Sequence, residues 1–228
     1  MEPPVDRHSS KFVAALRGDA GTLPPGPQAL SDEQVAASHR ARLVAGLAEV
    51  LSAKRYADVT VADVVACAQV SRRTFYGHFP DKEACFLATY EACADLMMDW
   101  TARAVIDGGG RTYDERIAMG VRMYLGTLAS EPGLARAFLH DVLSVGPEAL
   151  RRRRVVNDRL AAMIRAVAEQ HRAELPDGYA IHPDMAQALV GALEELVLIA
   201  ISDERTHDLP RLTETATRLV HAALVAGA

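Results

Sequence analysis

Apolar residues recur along most of this chain at steps of three and four, and the runs are broken by proline, glycine and Ser/Thr/Asp start signals. Ser31 with Gln34 makes the first firm start, a capping-box pair, and Val35, Leu43, Leu47, Val50 and Leu51 carry an apolar stripe to about Lys54. Thr60 with Asp63 starts a short helix with Ala62, Val65 and Ala66 as a small apolar face. Ser71 starts another after a break long enough only for a turn. Pro80 blocks continuation and Asp81 can cap the next helix, a run from Lys82 to about Ile106 with Phe86, Tyr90, Cys93, Met97 and Trp100 in step. At roughly 25 residues that helix would be about 40 Å long, and Gly108-Gly109-Gly110 ends it.

Thr112 with Glu115 opens a helix carrying Ile117, Val121, Tyr124, Leu125 and Leu128. Met119 and Met123 lie on its other faces, so it is apolar nearly all round and should be central. Pro132 sits in the first turn of a shorter helix with Leu134, Phe138 and Leu139. Pro147 begins a long one through Leu160, Met163, Ile164 and Val167 to near His171, before a loop at Leu175-Pro176-Asp177-Gly178. Two amphipathic helices close the chain, one with Leu189, Leu193, Leu196 and Val197, the other with Leu212, Ala216, Leu219, Val220 and Ala223. Their stripes exceed what one partner helix would cover, so these nine residues are expected to form an isologous four-helix interface with a second copy. With β-branched alternation scarce, the fold class is all-α. Residues 31–80 form an N-terminal three-helix helix-turn-helix domain, and residues 81–228 a C-terminal helical ligand-binding and dimerisation bundle.

Residues 1–30 hold five of the eleven prolines and read as a disordered leader with one turn around Phe12, Val13 and Leu16. Arg7, Lys11 and Arg17 could make it a phosphate-reaching arm, although a solvated tail is the simpler reading. Half of the residues are apolar and mean hydropathy is +0.02, which argues against bulk disorder. No apolar run is expected to span a membrane, the first ten residues lack the apolar core of a secretion signal, and Cys67, Cys85 and Cys93 make neither a disulfide framework nor a zinc site. A reducing cytoplasm is the expected location.

The net charge of −5 at first argues against nucleic acid, but its distribution matters more. Residues 31–90 hold seven basic and seven acidic side chains, and residues 91–228 hold fifteen and twenty. Arg72, Arg73 and Lys82 have only Asp81 close by in sequence, a local basic edge sufficient for phosphate contact. Helix, tight turn and a second helix starting with Ser71, Arg72, Arg73 and Thr74 is the arrangement that places one helix in a DNA major groove, where arginine can pair with guanine.

The stretch VTVADVVACAQVSRRTFYGHFPDKEACFLA resembles the TetR family of bacterial transcriptional regulators. Phe75, Tyr76, His78, Phe79, Lys82 and Glu83 stand in register with Thr60 and Val70-Ser71, and the match covers about residues 43–90. The resemblance implies phosphate binding by Thr60, Tyr76, His78 and Lys82. For Tyr76 and His78 a packed aromatic corner is the competing reading, and Phe75 and Phe79 are expected in the core. Many members carry glycine where this chain has Arg55 and Gln69, and a larger residue at Gly77. A non-glycine residue in a left-handed turn costs about 1–2 kcal/mol.

Met97, Trp100, Met119, Met123, Tyr124, Phe138 and Met163 fall on helices that would surround an effector cavity, where methionine and aromatic side chains serve equally as simple core. Arg103, Arg122, His140 and Asp141 are polar groups that could orient a ligand. Arg151–Arg154 point all round a helix and read as a solvated, salt-bridged segment. Cys85 and Cys93, eight apart on one helix, are too far apart to pair and read as buried thiols. The histidines show no His-x-x-x-His pair, and neither a glycine-rich phosphate loop nor a nucleophile elbow occurs, so no catalytic residue, metal or cofactor is expected. The expected function is a repressor that binds a palindromic duplex-DNA operator as a homodimer, is released by a small, mostly apolar effector, and has no membrane partner. The alternative is a helical carrier or sensor of apolar molecules without sequence-specific DNA binding.

Overall fold

The computed structural model of the chain describes residues 10–19, 31–107, 112–170 and 181–225, and every regular element among them is helical. The chain divides into two compact units, Met1–Ala92 and Cys93–Ala228. The helix Lys82–Asp107 contributes residues to both.

The N-terminal unit contains α1 (Lys11–Asp19), α2 (Asp32–Ala53), a 3-10 turn (Tyr56–Asp58), α3 (Val61–Ala68), α4 (Arg72–His78) and the start of α5 (Lys82–Asp107). The expected start signals hold atom by atom. Ser31 Oγ accepts from Gln34 N–H while the Gln34 side chain accepts from Ser31 N–H, and Thr60 with Asp63 repeats the reciprocal pair at α3. Asp81 Oδ1 accepts from Ala84 N–H at 2.8 Å, where the next helix begins. Leu43, Leu47, Leu51, Val64, Phe75 and Phe86 are fully buried and form the centre of the unit.

Three expectations for this unit change. Residues 11–19 of the expected disordered leader are helical, because Phe12, Val13 and Leu16 share one face and are buried against α2, while Arg17 pairs with Glu49. The rest of that leader lies outside the described residues. On α3 the inward side chains are Val64 and Ala68, not Ala62, Val65 and Ala66; Ala62 and Ala66 face solvent. Their one-turn spacing fits the close crossing with α2, where a Cβ on Gly46 would lie 3.0 Å from Ala68 Cβ and backbone N. Arg55 has φ −69 and ψ 148, ordinary extended backbone, so glycine would relieve nothing there.

The C-terminal unit contains the remainder of α5, α6 (Tyr113–Ser130), α7 (Pro132–Ala135), α8 (Pro147–Gln170), α9 (Pro183–Ser202) and α10 (Thr213–Val225). Thr112 and Glu115 close the expected capping box at α6. The single helix expected after Pro132 is instead three short pieces: α7, a π-helical turn over Arg136–His140 and a 3-10 turn over Asp141–Ser144. The glycine run after α5 and the loop around Pro176 lie outside the described residues.

Leu125, Leu189, Val190, Val197, Leu209 and Ala216 are buried in the central cluster of this unit. Of the residues expected at an interface, Leu189, Val197, Ala216 and Val220 are buried within their own chain, whereas Leu193, Leu212, Leu219 and Ala223 are partly buried against the same cluster. The outward residues of α9 are Met185, Ala188, Leu196 and Ile199, with Met185 and Ile199 each 47 % exposed. Contrary to expectation, α9 is long and apolar enough, by length and composition, to cross a membrane. Its inward face, however, sits in the core, and it carries the buried Glu194. Glu194 accepts from Asn157 Nδ2 at 3.0 Å and pairs with Arg153, which joins α8 to α9. Burial outweighs both partners and pushes its carboxyl above the usual range.

Candidate functional site

The polar site in the N-terminal unit is built around α4. Ser71 Oγ accepts from Thr74 N–H at 3.0 Å and lies 2.8 Å from Thr74 Oγ1, so the helix begins on a satisfied cap. Arg72 and Arg73 follow on its first turn. Both are exposed, and no hydrogen bond or ion pair engages them among the described residues. Tyr76 is 57 % exposed, its ring edge-on to buried Phe75 at 5.3 Å. A Cβ on Gly77 would meet nothing within 4 Å, so the small residue there is not required by packing.

The turn between α3 and α4 adopts the left-handed conformation at Gln69, with φ 53 and ψ 47. Val70 N–H donates to Val65 C=O at 3.1 Å, and Arg42 donates to Gln69 C=O at 2.7 Å. Arg42 is 27 positions away in sequence, and no local pattern announces it. It holds the carbonyl of the strained residue, which is how α2 supports a turn made without glycine.

The expected phosphate residues divide. Thr60 is exposed, but its hydroxyl and N–H are both committed to Asp63. Lys54 Nζ also bonds Asp63 at 2.7 Å, and that bond, ahead of those from Thr60, lowers the Asp63 carboxyl to about 2. Lys82 Nζ donates to the carbonyls of Tyr56 at 2.9 Å and Val59 at 2.8 Å and stands 4.2 Å from the centre of the Tyr56 ring. Two of its three N–H donors are therefore used within the chain, and burial lowers its pKa. His78 is half-buried, with its ring 6.1 Å from that of His39. Burial, then His39 and Arg40, lower its pKa, which favours the neutral imidazole. Phe75 and Phe79 are core, as expected, and Arg40 stacks 5.2 Å over Phe79.

The second site is a cavity of about 90 Å³ in the C-terminal unit, between α5, α6 and α8 and closed by Leu193 and Val220. α6 contributes Ile117, Gly120, Val121, Tyr124 and Leu125, and α8 contributes Leu160, Met163, Ile164 and Val167; Thr101 and Val105 come from α5. Of the seven expected pocket residues, only Tyr124 and Met163 line it. Met97 packs on the central cluster, Met123 is 37 % exposed, and Trp100, Met119 and Phe138 are half-buried outside the lining. The wall follows the i, i+3, i+4, i+7 spacing of α6 and α8 and not the methionine and aromatic positions. Arg103, Arg122, His140 and Asp141 do not line it either. Arg103 pairs with Asp99 on the surface, and His140 Nδ1 is 3.1 Å from Asp141 Oδ1.

Arg151 and Arg152 share Glu148, as a solvated segment should, whereas Arg153 turns in to Glu194. Cys85 and Cys93 are buried free thiols, and Cys67 is half-buried. Burial pushes the thiols of Cys67 and Cys85 up to about 11 and about 12, far from the range of a reactive thiolate.

Residues 43–89 match the family model described as bacterial regulatory proteins, tetR family. Over 185 residues the chain is 27 % identical to the HTH-type transcriptional regulator EthR of Mycolicibacterium smegmatis, covering 78 % of this chain and 82 % of the relative. The fold is similar to that of the fatty acid degradation regulator FadR from Bacillus halodurans, with a TM-score of 0.67, 16 % identity, and 80 % of this chain and 94 % of that one covered. It is also similar to FadR from Bacillus subtilis, solved in complex with stearoyl-CoA, with a TM-score of 0.65, 14 % identity, and 80 % and 96 % covered.

Proposed function

Because the chain belongs to the TetR family of bacterial regulatory proteins through its N-terminal unit, we propose that it is a cytoplasmic transcriptional repressor released from DNA by a small apolar effector. The observation that carries this reading is α4: a capped first turn presenting Ser71, Arg72, Arg73 and Thr74, with both arginines exposed and unengaged among the described residues. In a major groove either arginine can meet guanine bidentately. The Tyr76 hydroxyl is the best placed of the expected phosphate contacts, because Thr60 and Lys82 are largely committed within the chain and His78 favours its neutral form. Lys82 serves chiefly to anchor the Tyr56–Val59 turn to the start of α5.

A palindromic operator requires two copies, with reading helices about one helical turn of DNA apart. The outward face of α9, with Met185 and Ile199 exposed, supports association of two chains there. The effector reading rests on the apolar lining of the cavity. α5 supplies part of that lining and also begins at Lys82, just after α4, so a ligand that favours one setting of α5 would act on DNA affinity to the extent of its differential binding.

Footprinting of the protein on its own promoter region tests this, comparing wild type with Arg72→Ala/Arg73→Ala. The double variant should lose roughly 10- to 100-fold in specific affinity, the scale of one to two base contacts, while its thermal unfolding stays unchanged. Full specificity in the double variant would remove α4 as the reader. Wild-type protein that ignores the flanking DNA would favour a carrier, and a monomer in sedimentation at micromolar concentration would contradict the dimer.

A further inference from the structure

Beside α4, three basic side chains meet with no carboxylate paired to any of them. His39 and Arg40 stand on α2, and His78 is the last residue of α4. The rings of His39 and His78 lie edge to face with centres 6.1 Å apart, and the Arg40 guanidinium stands 5.2 Å over the ring of Phe79. Arg40 is exposed and both histidines are half-buried, so all three reach solvent. No hydrogen bond or ion pair engages any of them among the described residues.

The acidic groups of the surrounding elements are turned elsewhere. On α3, Asp63 is held by Lys54 and Thr60. Where α5 begins, Asp81 accepts from Ala84 N–H. Burial first, then Glu83 and Asp81, raise the pKa of Tyr56 to about 12, so those two charges bear on that ring. Asp32 and Glu33 open α2, about 9–10 Å from His39 by helical rise. What acts on His78 is burial, then His39 and Arg40, and each lowers its pKa. Protonating His78 adds a like charge beside Arg40, so the free chain favours the neutral ring. An external anion reverses that balance by supplying the missing counter-charge.

Placement says which anion. Arg42, one turn beyond His39, reaches the Gln69 carbonyl just ahead of α4, while His39 meets His78 at the end of α4. This turn of α2 therefore flanks the helix that carries Arg72 and Arg73. A helix seated in a major groove has a sugar-phosphate backbone along each side, and side chains from a flanking helix meet phosphate there.

We propose that His39, Arg40 and His78 together hold one backbone phosphate of the duplex read by α4, and that the histidine pair takes a proton from solvent as the phosphate docks. This rests on the reading of α4 as the DNA reader, and it adds two contacts from α2 and a dependence of affinity on pH. The bound phosphate favours the protonated pair, so DNA affinity is higher on the acid side of the histidine range and falls as pH rises through it.

Fluorescence anisotropy of the full chain with a labelled duplex from its own promoter region, at fixed ionic strength in phosphate-free buffers, tests this. From about pH 8 to about pH 6, wild-type affinity should rise about three- to tenfold more than that of His39→Gln/His78→Gln, the scale of a half- to one-unit rise in one histidine pKa. The general loss of negative charge on acidification is common to both proteins, so the difference isolates the pair. His39→Lys, which fixes one charge, should bind at the alkaline end more tightly than wild type. Thermal unfolding of each variant shows that it is folded. Equal pH dependence in wild type and the double variant, or a folded His39→Lys protein that gains nothing at the alkaline end, would overturn the proposal while leaving α4 as the reader. Wild-type protein that binds the duplex at no pH would remove the DNA reading and this proposal together.

Discussion

The N-terminal unit starts its short helices on caps that close within one turn and ties them together by exposed or half-buried long-range bonds, whereas the C-terminal unit buries a carboxylate and pairs it at long range. In the first, Ser31–Gln34, Thr60–Asp63 and Ser71–Thr74 each close within one helical turn. In the second, Arg153 and Asn157 reach Glu194 from another helix, and Thr101 Oγ1 is left without any partner. Local caps are each worth about 1 kcal/mol and leave side chains beyond them free to meet DNA. Buried pairs are costly to break. The two units thus present opposite kinds of chemistry: cations on a short capped helix, and a cavity lined, among the described residues, almost wholly by apolar side chains.

That contrast can be broken by substitution. Glu194→Ala should cost about 3–5 kcal/mol in denaturant unfolding, since it strands Arg153 and Asn157; a loss no larger than that of a surface cap would erase the contrast. Gly46→Ala should cost about 1–3 kcal/mol, because the new methyl meets the Ala68 backbone, which cannot yield as a flexible side chain could. It should also weaken DNA binding through the displaced α3–α4 turn, and unchanged affinity in a gel shift would show that the turn tolerates the shift. Ser71→Ala should cost about 1 kcal/mol in thermal unfolding through the lost cap.

Gln69→Gly sharpens the picture in the other direction. Gln69 occupies the left-handed region, and Arg42 bonds its backbone carbonyl rather than its side chain, so glycine should stabilise the chain by up to about 1 kcal/mol. Destabilisation would mean that the glutamine side chain makes its own contribution. The smallest effect is expected at Asp63. Its carboxyl is lowered to about 2 in the folded chain, so its contribution is complete above the unfolded value near 3.8 and is lost as pH falls from there through 2. Asp63→Asn should flatten the loss of thermal stability across that window, and an unchanged pH profile would show that the Lys54 and Thr60 bonds do not persist in solution.

Legibility in the sequence tracks the range of the interaction. Helix starts are legible at Ser31, Thr60, Ser71, Asp81 and Thr112 because a cap involves residues three apart. The apolar stripe of α2 is legible for the same reason, as periodicity is a local property. The inward face of α3 is not, because Val61, Val64 and Val65 are alike in type, and the close approach of Ala68 to Gly46 selects among them. The cavity wall escapes a search by methionine and aromatic identity because helical spacing carries the information there.

The sequence by itself determined an all-helical chain, the turn that sets off Ser71–Thr74, and the likeness of residues 43–89 to the tetR family, since each depends on local pattern. Tertiary structure decided which apolar residues of α9 and α10 turn inward, that Lys82 is tied to the Tyr56 and Val59 carbonyls, that Arg42 supports Gln69, and that Thr101 Oγ1 is buried without a partner. Each of these brings together groups far apart in the chain, or depends on what is missing around one of them. Whether a given side chain finds a partner is settled by packing, and packing is not written in the spacing of any single helix.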